Sequence, residues 1–336
     1  MSSALGRAPA PDPQRGAWGS LDYPPEHHFL RDLGVTVEIH PDGTARGAIP
    51  IGPDVLLEDG HPRAGIVGVL VDSVAGAVAV MSARPERVAT ADMAMHLLRP
   101  VRHGLGSVLT VEATVTRRGR TTVVIEAMVS DGPEAGPEAG PEAGPEAGPE
   151  AGPEAGPEAG PVGWATLTFA LLSAREHQLT PGGQIHLDEV VRTDFGAGSD
   201  RRSVLERIGF APRTREVDGV PGVGERGDVV SPGDVVSLEV VDYIRNTFGA
   251  VQGGIVTLMV DEAASRAVPG AAVVDLHLAF LAPCKEGPIV GRADVLEASG
   301  AGPGTVLVEL RDAGAGDRVT TIADVGMIPT RVGASR

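Results

Sequence analysis

Hydrophobic and polar positions along the 336-residue chain form a pattern that occurs twice. From Gly65 to Met81 apolar side chains occupy every face of a helix that extends to about Ala83. A helix that is apolar all round must be wrapped by other elements rather than covered on one side. Segments of strand character surround it. Val35–His40 and Ala45–Ile51 are joined by the turn sequence Pro41-Asp42-Gly43-Thr44, and Val88–Leu98, Gly106–Arg117, Thr121–Ser130 and Gly163–Ser173 follow the helix. A short helix from His28, stopped at Gly34, precedes them all. The same order then returns: a short helix Val204–Gly209, a strand Val235–Asp242, an apolar helix from Gly254, and strands Ala272–Leu281, Ile289–Ala298, Thr305–Asp312 and Arg318–Met327. One antiparallel sheet curled around a central helix satisfies each half, which predicts an α+β chain of two such domains in tandem.

The repetition reaches individual residues. Gly65-Ile66-Val67-Gly68-Val69-Leu70-Val71-Asp72 has a near-copy in Gly254-Ile255-Val256-Thr257-Leu258-Met259-Val260-Asp261. A charge inside an apolar helix is costly unless it is partnered, and here it occurs in both copies. Function is therefore expected at the two aspartates. The boundaries read as a disordered tail over 1–24, carrying Pro9, Pro11 and Pro13, a first domain over 25–174, a linker over 175–199 and a second domain over 200–330. Extra residues of the second half are expected in Val217–Asp234. Within the first domain, 132–161 is a Gly-Pro-Glu-Ala repeat with proline at every fourth residue. Proline removes backbone donors and glutamates repel one another, so the repeat should be an extended, solvated loop. It reads as a tolerated expansion at a hairpin tip, with a partner-binding arm as the alternative; long surface insertions cost little stability.

A formal charge of −17 argues against a nucleic-acid partner, because phosphate binding needs clustered cations. Lys285 is the only lysine, and Cys284 the only cysteine, which excludes an internal disulfide framework and fits a reducing, cytoplasmic setting. No basic-then-apolar leader pattern opens the sequence. The apolar helix is short for a membrane span and carries Asp72 near its middle, so a buried helix is expected and no membrane role. The histidines show no metal-ligand spacing, and no glycine fingerprint for a nucleotide follows a strand.

Ahead of the second helix stands Asn246-Thr247-Phe248-Gly249-Ala250-Val251-Gln252-Gly253-Gly254, with Asp261 nine residues beyond Gln252. This resembles the hotdog-fold acyl-CoA thioesterases of the phenylacetate-pathway type, which carry Asn-x-x-Gly-x-x-His-Gly-Gly and an Asp nine residues after the His; here Gln252 replaces the His. The first half reads Leu57-Glu58-Asp59-Gly60-His61-Pro62-Arg63-Ala64-Gly65, with Asp72 nine beyond Arg63, so it lacks the Asn, the His and one glycine. Leu97-Leu98-Arg99-Pro100-Val101-Arg102-His103-Gly104 and Phe280-Leu281-Ala282-Pro283-Cys284-Lys285-Glu286-Gly287 are similar to a strand end that family members place near coenzyme A. The resemblance covers most of both halves.

The resemblance implies two hotdog domains and hydrolysis of an acyl-CoA thioester, with no cofactor beyond the coenzyme A of the substrate. It also implies that the loop of one hotdog faces the helix carboxylate of the other. Asp72 would then meet Asn246, Gln252, Gly253 and Gly254, while Asp261 would meet Arg63, Ala64 and Gly65, with Ser265 one turn on. Thioester cleavage needs a carboxylate to activate water or attack directly, and donors for the oxyanion, which amides at a helix N-terminus provide. The expected outcome is one competent site using Asp72 and one degenerate site at Asp261. The plainer reading of both aspartates is structural hydrogen bonding, and Asn246 and Gln252 could simply cap or tie their loop. Arg99, Arg102 and Lys285 are the cations expected at coenzyme A phosphates, with solvated surface charge as the alternative. An enoyl hydratase would pair each Asp with a His five residues on, where Ala77 and Arg266 stand. A non-catalytic acyl-CoA or acyl-carrier-protein binding module remains the alternative function. Further association of hotdog sheets into a homo-oligomer fits the fold, and the 3% aromatic content mildly favours an aliphatic acyl group.

Overall fold

The computed structural model describes residues 24–133, 161–172, 191–194, 203–210, 234–298 and 304–330. In chain order the elements are α1 (Phe29–Asp32), β1 (Thr36–Ile39), β2 (Ala45–Pro50), α2 (Ala64–Ala83), β3 (Arg87–Leu97), β4 (Ser107–Arg118), β5 (Thr122–Pro133), β6 (Pro161–Leu172), β7 (Val191–Asp194), α3 (Val204–Ile208) and β8 (Asp234–Leu238). A 3-10 turn (Asp242–Ile244), α4 (Gly253–Ala267), β9 (Ala271–Phe280), β10 (Ile289–Ala298), β11 (Gly304–Asp312) and β12 (Arg318–Pro329) complete it. Among the described residues the strands form one antiparallel sheet of 12 in the order β7-β1-β2-β4-β5-β6-β3-β9-β12-β11-β10-β8. Each half is a hotdog: β1–β6 wrap α2, and β8–β12 wrap α4.

The halves fuse where β3 pairs antiparallel with β9, from Asp92↔Ala279 to His96↔Asp275. Strand alternation separates the faces of this seam. Met93, Met95, Leu276 and Leu278 are buried on the helix side. On the outer side His96 Nδ1 lies 2.6 Å from Asp275, and His277 bridges Asp92 (3.0 Å) and Asp324 (3.2 Å).

α2 and α4 cross antiparallel over their N-terminal halves, and glycines set how closely. A Cβ on Gly65 would stand 2.5 Å from the Cα of Leu258, and Cβ atoms on Gly68 and Gly254 would strike Thr257 and Val69. Apart from Gly76, Val80, Met81 and Ser82, every α2 residue is buried, as all-round apolarity requires. That helix is long and apolar enough to cross a membrane, but most of it is buried inside the protein.

Three expectations need correction. The stretch 175–199 contains a strand: β7 pairs with β1 through Ile39↔Val191 to Thr36↔Asp194 and so extends the first sheet. The strand expected at Val235–Asp242 ends at Leu238, because its partner β10 begins at the facing residue, Ile289. The chain then turns so that Tyr243 donates its hydroxyl to Asp32 (2.6 Å). β5 runs on to Pro133, and β6 begins at Pro161, so the strands take in both ends of the repeat. The tail before residue 24, the rest of the repeat and most of Val217–Asp234 lie outside the described residues.

Candidate active site

The N-terminus of an α-helix leaves its first amides unpaired, and in this chain each long helix finds acceptors for them on the other. Asp72, in the third turn of α2, accepts from the backbone amide of Gly254 at the start of α4. Gln252, at the N-cap of α4, works in both directions: its Oε1 accepts from the Ile255 amide (3.2 Å) and its Nε2 donates to Asp72 Oδ2 (2.8 Å). Thr90 Oγ1 donates to the other oxygen, Oδ1, at 2.9 Å. Asp72 is 7% exposed. Burial pushes its carboxyl up to about 6 despite the bonds from Thr90 and Gly254, which pull the other way. A carboxylate poised near neutrality at the N-terminus of a helix suits a general base. Gly253 shows how tightly it fits, since a Cβ there would lie 2.8–3.0 Å from the Asp72 carboxyl atoms.

Thr90 had no signal in the sequence. It projects inward because β3 carries a bulge at Ala91: the register to β6 shifts between Thr90 and Asp92. The bulge resets the alternation, so Val88 and Thr90 face the helix before it and Met93 and Met95 after it.

At the pseudo-equivalent position, Asp261 Oδ2 accepts from the Gly65 amide at 3.0 Å, and Ser265 Oγ donates to Oδ1 at 3.3 Å. The structure thus brings Gly65, Asp261 and Ser265 together. Ala64 occupies the place of Gly253 and is buried. Arg63 caps nothing with its side chain and donates Nε to the Asp54 carbonyl (3.2 Å).

The loops ahead of the helices share one turn, with Gly60 at φ 83° and Gly249 at φ 71°, a region that favours glycine. Asn246 does not bond Asp72; its Oδ1 accepts from the amides of Phe248 (2.9 Å) and Ala250 (3.1 Å) within its own loop. That loop is also held by Arg245, which donates to the Gly249 and Lys285 carbonyls, and by His28, whose ring bonds the Arg245 carbonyl at 3.1 Å. Phe248 packs its ring under the guanidinium of Arg87, 4.9 Å away at the start of β3.

The expected phosphate cations divide. Arg99 is bound to buried Asp131 at 2.6 Å, and Asp131 also accepts from the amides of Arg102 (2.6 Å) and His103 (3.1 Å). Burial pushes the Asp131 carboxyl up, but Arg99 and those amides outweigh it and hold it at about 2. Arg99 therefore anchors the strand-end loop. Asp312 holds the matching loop through the amides of Lys285, Glu286 and Gly287. Arg102 and Lys285 occupy equivalent loop positions and are exposed. Lys285 belongs to the Asp72 side, because the neighbouring Cys284 carbonyl accepts from the Val251 amide (2.9 Å). Burial pushes the Cys284 thiol up to about 11, the wrong direction for a nucleophile.

Residues 64–137 match the family model described as the thioesterase superfamily. A candidate esterase of Halobacterium salinarum is 37% identical over 118 residues, which cover 32% of this chain and 72% of that protein. The chain belongs to the thioesterase superfamily. Among solved structures, a candidate thioesterase II of Thermobifida fusca is 17% identical with a TM-score of 0.49, over 91% of this chain and 99% of that one. An acyl-ACP thioesterase of Bacteroides thetaiotaomicron is 11% identical with a TM-score of 0.48, over 85% and 98%. The stretch matched by the family model includes Asp72 and Thr90, and Asp72 draws the rest of its partners from beyond that stretch, at Gln252 and Gly254.

Proposed function

We propose that the protein hydrolyses acyl-CoA thioesters at Asp72, at the interface of the two hotdogs. The single observation that carries this reading is a buried carboxyl, held by Gln252 and Thr90 against the N-terminus of the opposite helix. The ionised carboxylate takes a proton from water, and the oxygen of that water adds to the thioester carbonyl. The oxyanion is met by the Gly253 amide at the start of α4, where the helix dipole adds roughly 0.3–1 kcal/mol for negative charge. Collapse breaks the C–S bond, and the proton held by Asp72 passes to the departing sulfur, leaving a carboxylic acid and free coenzyme A. Gln252 and Thr90 fix the carboxylate during this cycle, and Lys285 serves the coenzyme. Direct attack by Asp72 on the carbonyl is the other form of the same reading. No resident cofactor is required.

The competing reading is a binding module in which both aspartates only cap the opposing helices. It draws on the symmetric bonds Gly254 to Asp72 and Gly65 to Asp261. A thiol-release assay across acetyl-, hexanoyl- and decanoyl-CoA separates the two. Thiol release by the wild-type protein is expected; binding of acyl-CoA with no thiol released at any pH between 5 and 9 would establish the binding module instead.

A further inference from the structure

One turn beyond Asp72 the wrapped helix has an opening. Positions 72, 76 and 80 stack on one face of α2, four residues apart. Val71, Val74 and Ala75 are wholly buried, whereas Gly76 and Val80 are only partly so. A Cβ at Gly76 would meet no atom within 4 Å. This sets Gly76 apart from Gly65 and Gly68 in the same helix, whose added Cβ atoms would collide with α4. A glycine inside a helix is less favourable than an alanine there. At Gly76 neither helix packing nor a positive φ offsets that cost; the omitted side chain leaves room, and the room adjoins Asp72.

The other half lacks this opening. Ser265 stands four residues after Asp261, as Gly76 does after Asp72; it is 6% exposed and its hydroxyl is turned onto Asp261. α4 also ends at Ala267, while α2 continues to Ala83. From Asp72 to Val80 the α2 face runs about 12 Å at ~1.5 Å per residue. Beyond the carboxyl it offers glycine backbone and a valine side chain, with no charge.

We propose that this slot receives the acyl chain of the thioester, and that the missing side chain at Gly76 admits aliphatic chains of medium length. The inference rests on Asp72 as the hydrolytic site. Glycine backbone and a valine side chain along one helix face offer apolar contact to a polymethylene chain lying lengthwise. Ser265 at the matching position leaves the Asp261 half without an acyl seat, whatever its carboxylate can do.

The test compares decanoyl- and acetyl-CoA in wild type, Gly76→Ala and Gly76→Leu, by kcat/KM and by the affinity of their non-hydrolysable thioether analogues. Each seated methylene should add roughly fourfold to wild-type affinity. Gly76→Leu should erase the decanoyl-over-acetyl preference in both measurements, and Gly76→Ala should melt at higher temperature because its methyl meets nothing. An unchanged decanoyl-to-acetyl ratio in Gly76→Leu, or a lower melting temperature for Gly76→Ala, would overturn the slot while leaving hydrolysis at Asp72 intact. Absence of thiol release from wild type, with chain-dependent analogue binding that Gly76→Leu abolishes, would overturn the hydrolytic reading and keep the slot.

Discussion

The two helix carboxylates occupy matching places and receive different surroundings. Asp72 has an amide side chain from Gln252, a hydroxyl from Thr90 on a neighbouring strand, a glycine opposite and open space one turn away. Asp261 has the Gly65 amide and a hydroxyl from its own helix, with Ala64 where the other site has Gly253. Duplication preserved the inter-helix bond, which both halves need to satisfy a helix end. It did not preserve the Gln252 side chain, the glycine at 253 or the open space one turn beyond the carboxyl, because the fold does not require them. An aspartate kept in both halves is therefore evidence for a capping role as much as for catalysis; the asymmetry around it is what distinguishes them.

The widest gap between the sites should appear on removing the carboxylates. Asp72→Asn is expected to lower kcat by about a thousandfold, in the range that losing a general base costs, while Asp261→Asn retains most turnover. Steady-state thiol release measures both, and equal losses would dissolve the distinction. A methyl should come next. Gly253→Ala places a Cβ 2.8–3.0 Å from the Asp72 carboxyl atoms and should cost about a hundredfold in kcat/KM, the scale of a misplacement near 1 Å, whereas Ala64→Gly leaves turnover unaltered.

A third difference is expressed in pH. With Asp72 held at about 6 the base is ionised above that value, so activity should rise with pH through about 6 and level off. The Thr90 bond favours the ionised form. Thr90→Val should therefore move the acid limb upward by roughly one unit, and Thr90→Ser should restore it. An unmoved limb would mean that Thr90 only packs. The smallest effect separates the two exposed cations: Lys285→Ala should raise KM for acyl-CoA a few-fold, about 1 kcal/mol, while Arg102→Ala on the Asp261 side changes it little. Equal effects would imply that both halves bind coenzyme A.

Much of the fold was legible along the chain, since a helix apolar on every side can only be wrapped and alternation with period two can only be strand. Even so, β7 was hidden: Val191–Asp194 acquires its strand character by pairing with β1, far away in sequence. Of the site, Asp72, Gln252 and Gly253 could be marked in advance by repetition and motif. Asn246 carried the same mark but ties its own loop, and Arg99 carried a charge that Asp131 consumes. Spacing identifies residue types near a helix end without revealing which neighbour will claim their polar atoms.

By itself the sequence determined that the chain is two wrapped helices, that each holds one aspartate, and that the first half has Leu57, Arg63 and Ala64 where the second has Asn246, Gln252 and Gly253. These follow from local periodicity and from the cost of a charge in an apolar run. Only the tertiary structure decided that Asp72 meets Gln252 and Gly254, that the Ala91 bulge turns Thr90 inward, and that Gly76 opens onto space while Gly65 and Gly68 do not. Those outcomes depend on which surfaces approach across roughly half the chain, a matter of antiparallel helix crossing and sheet register that no local pattern encodes.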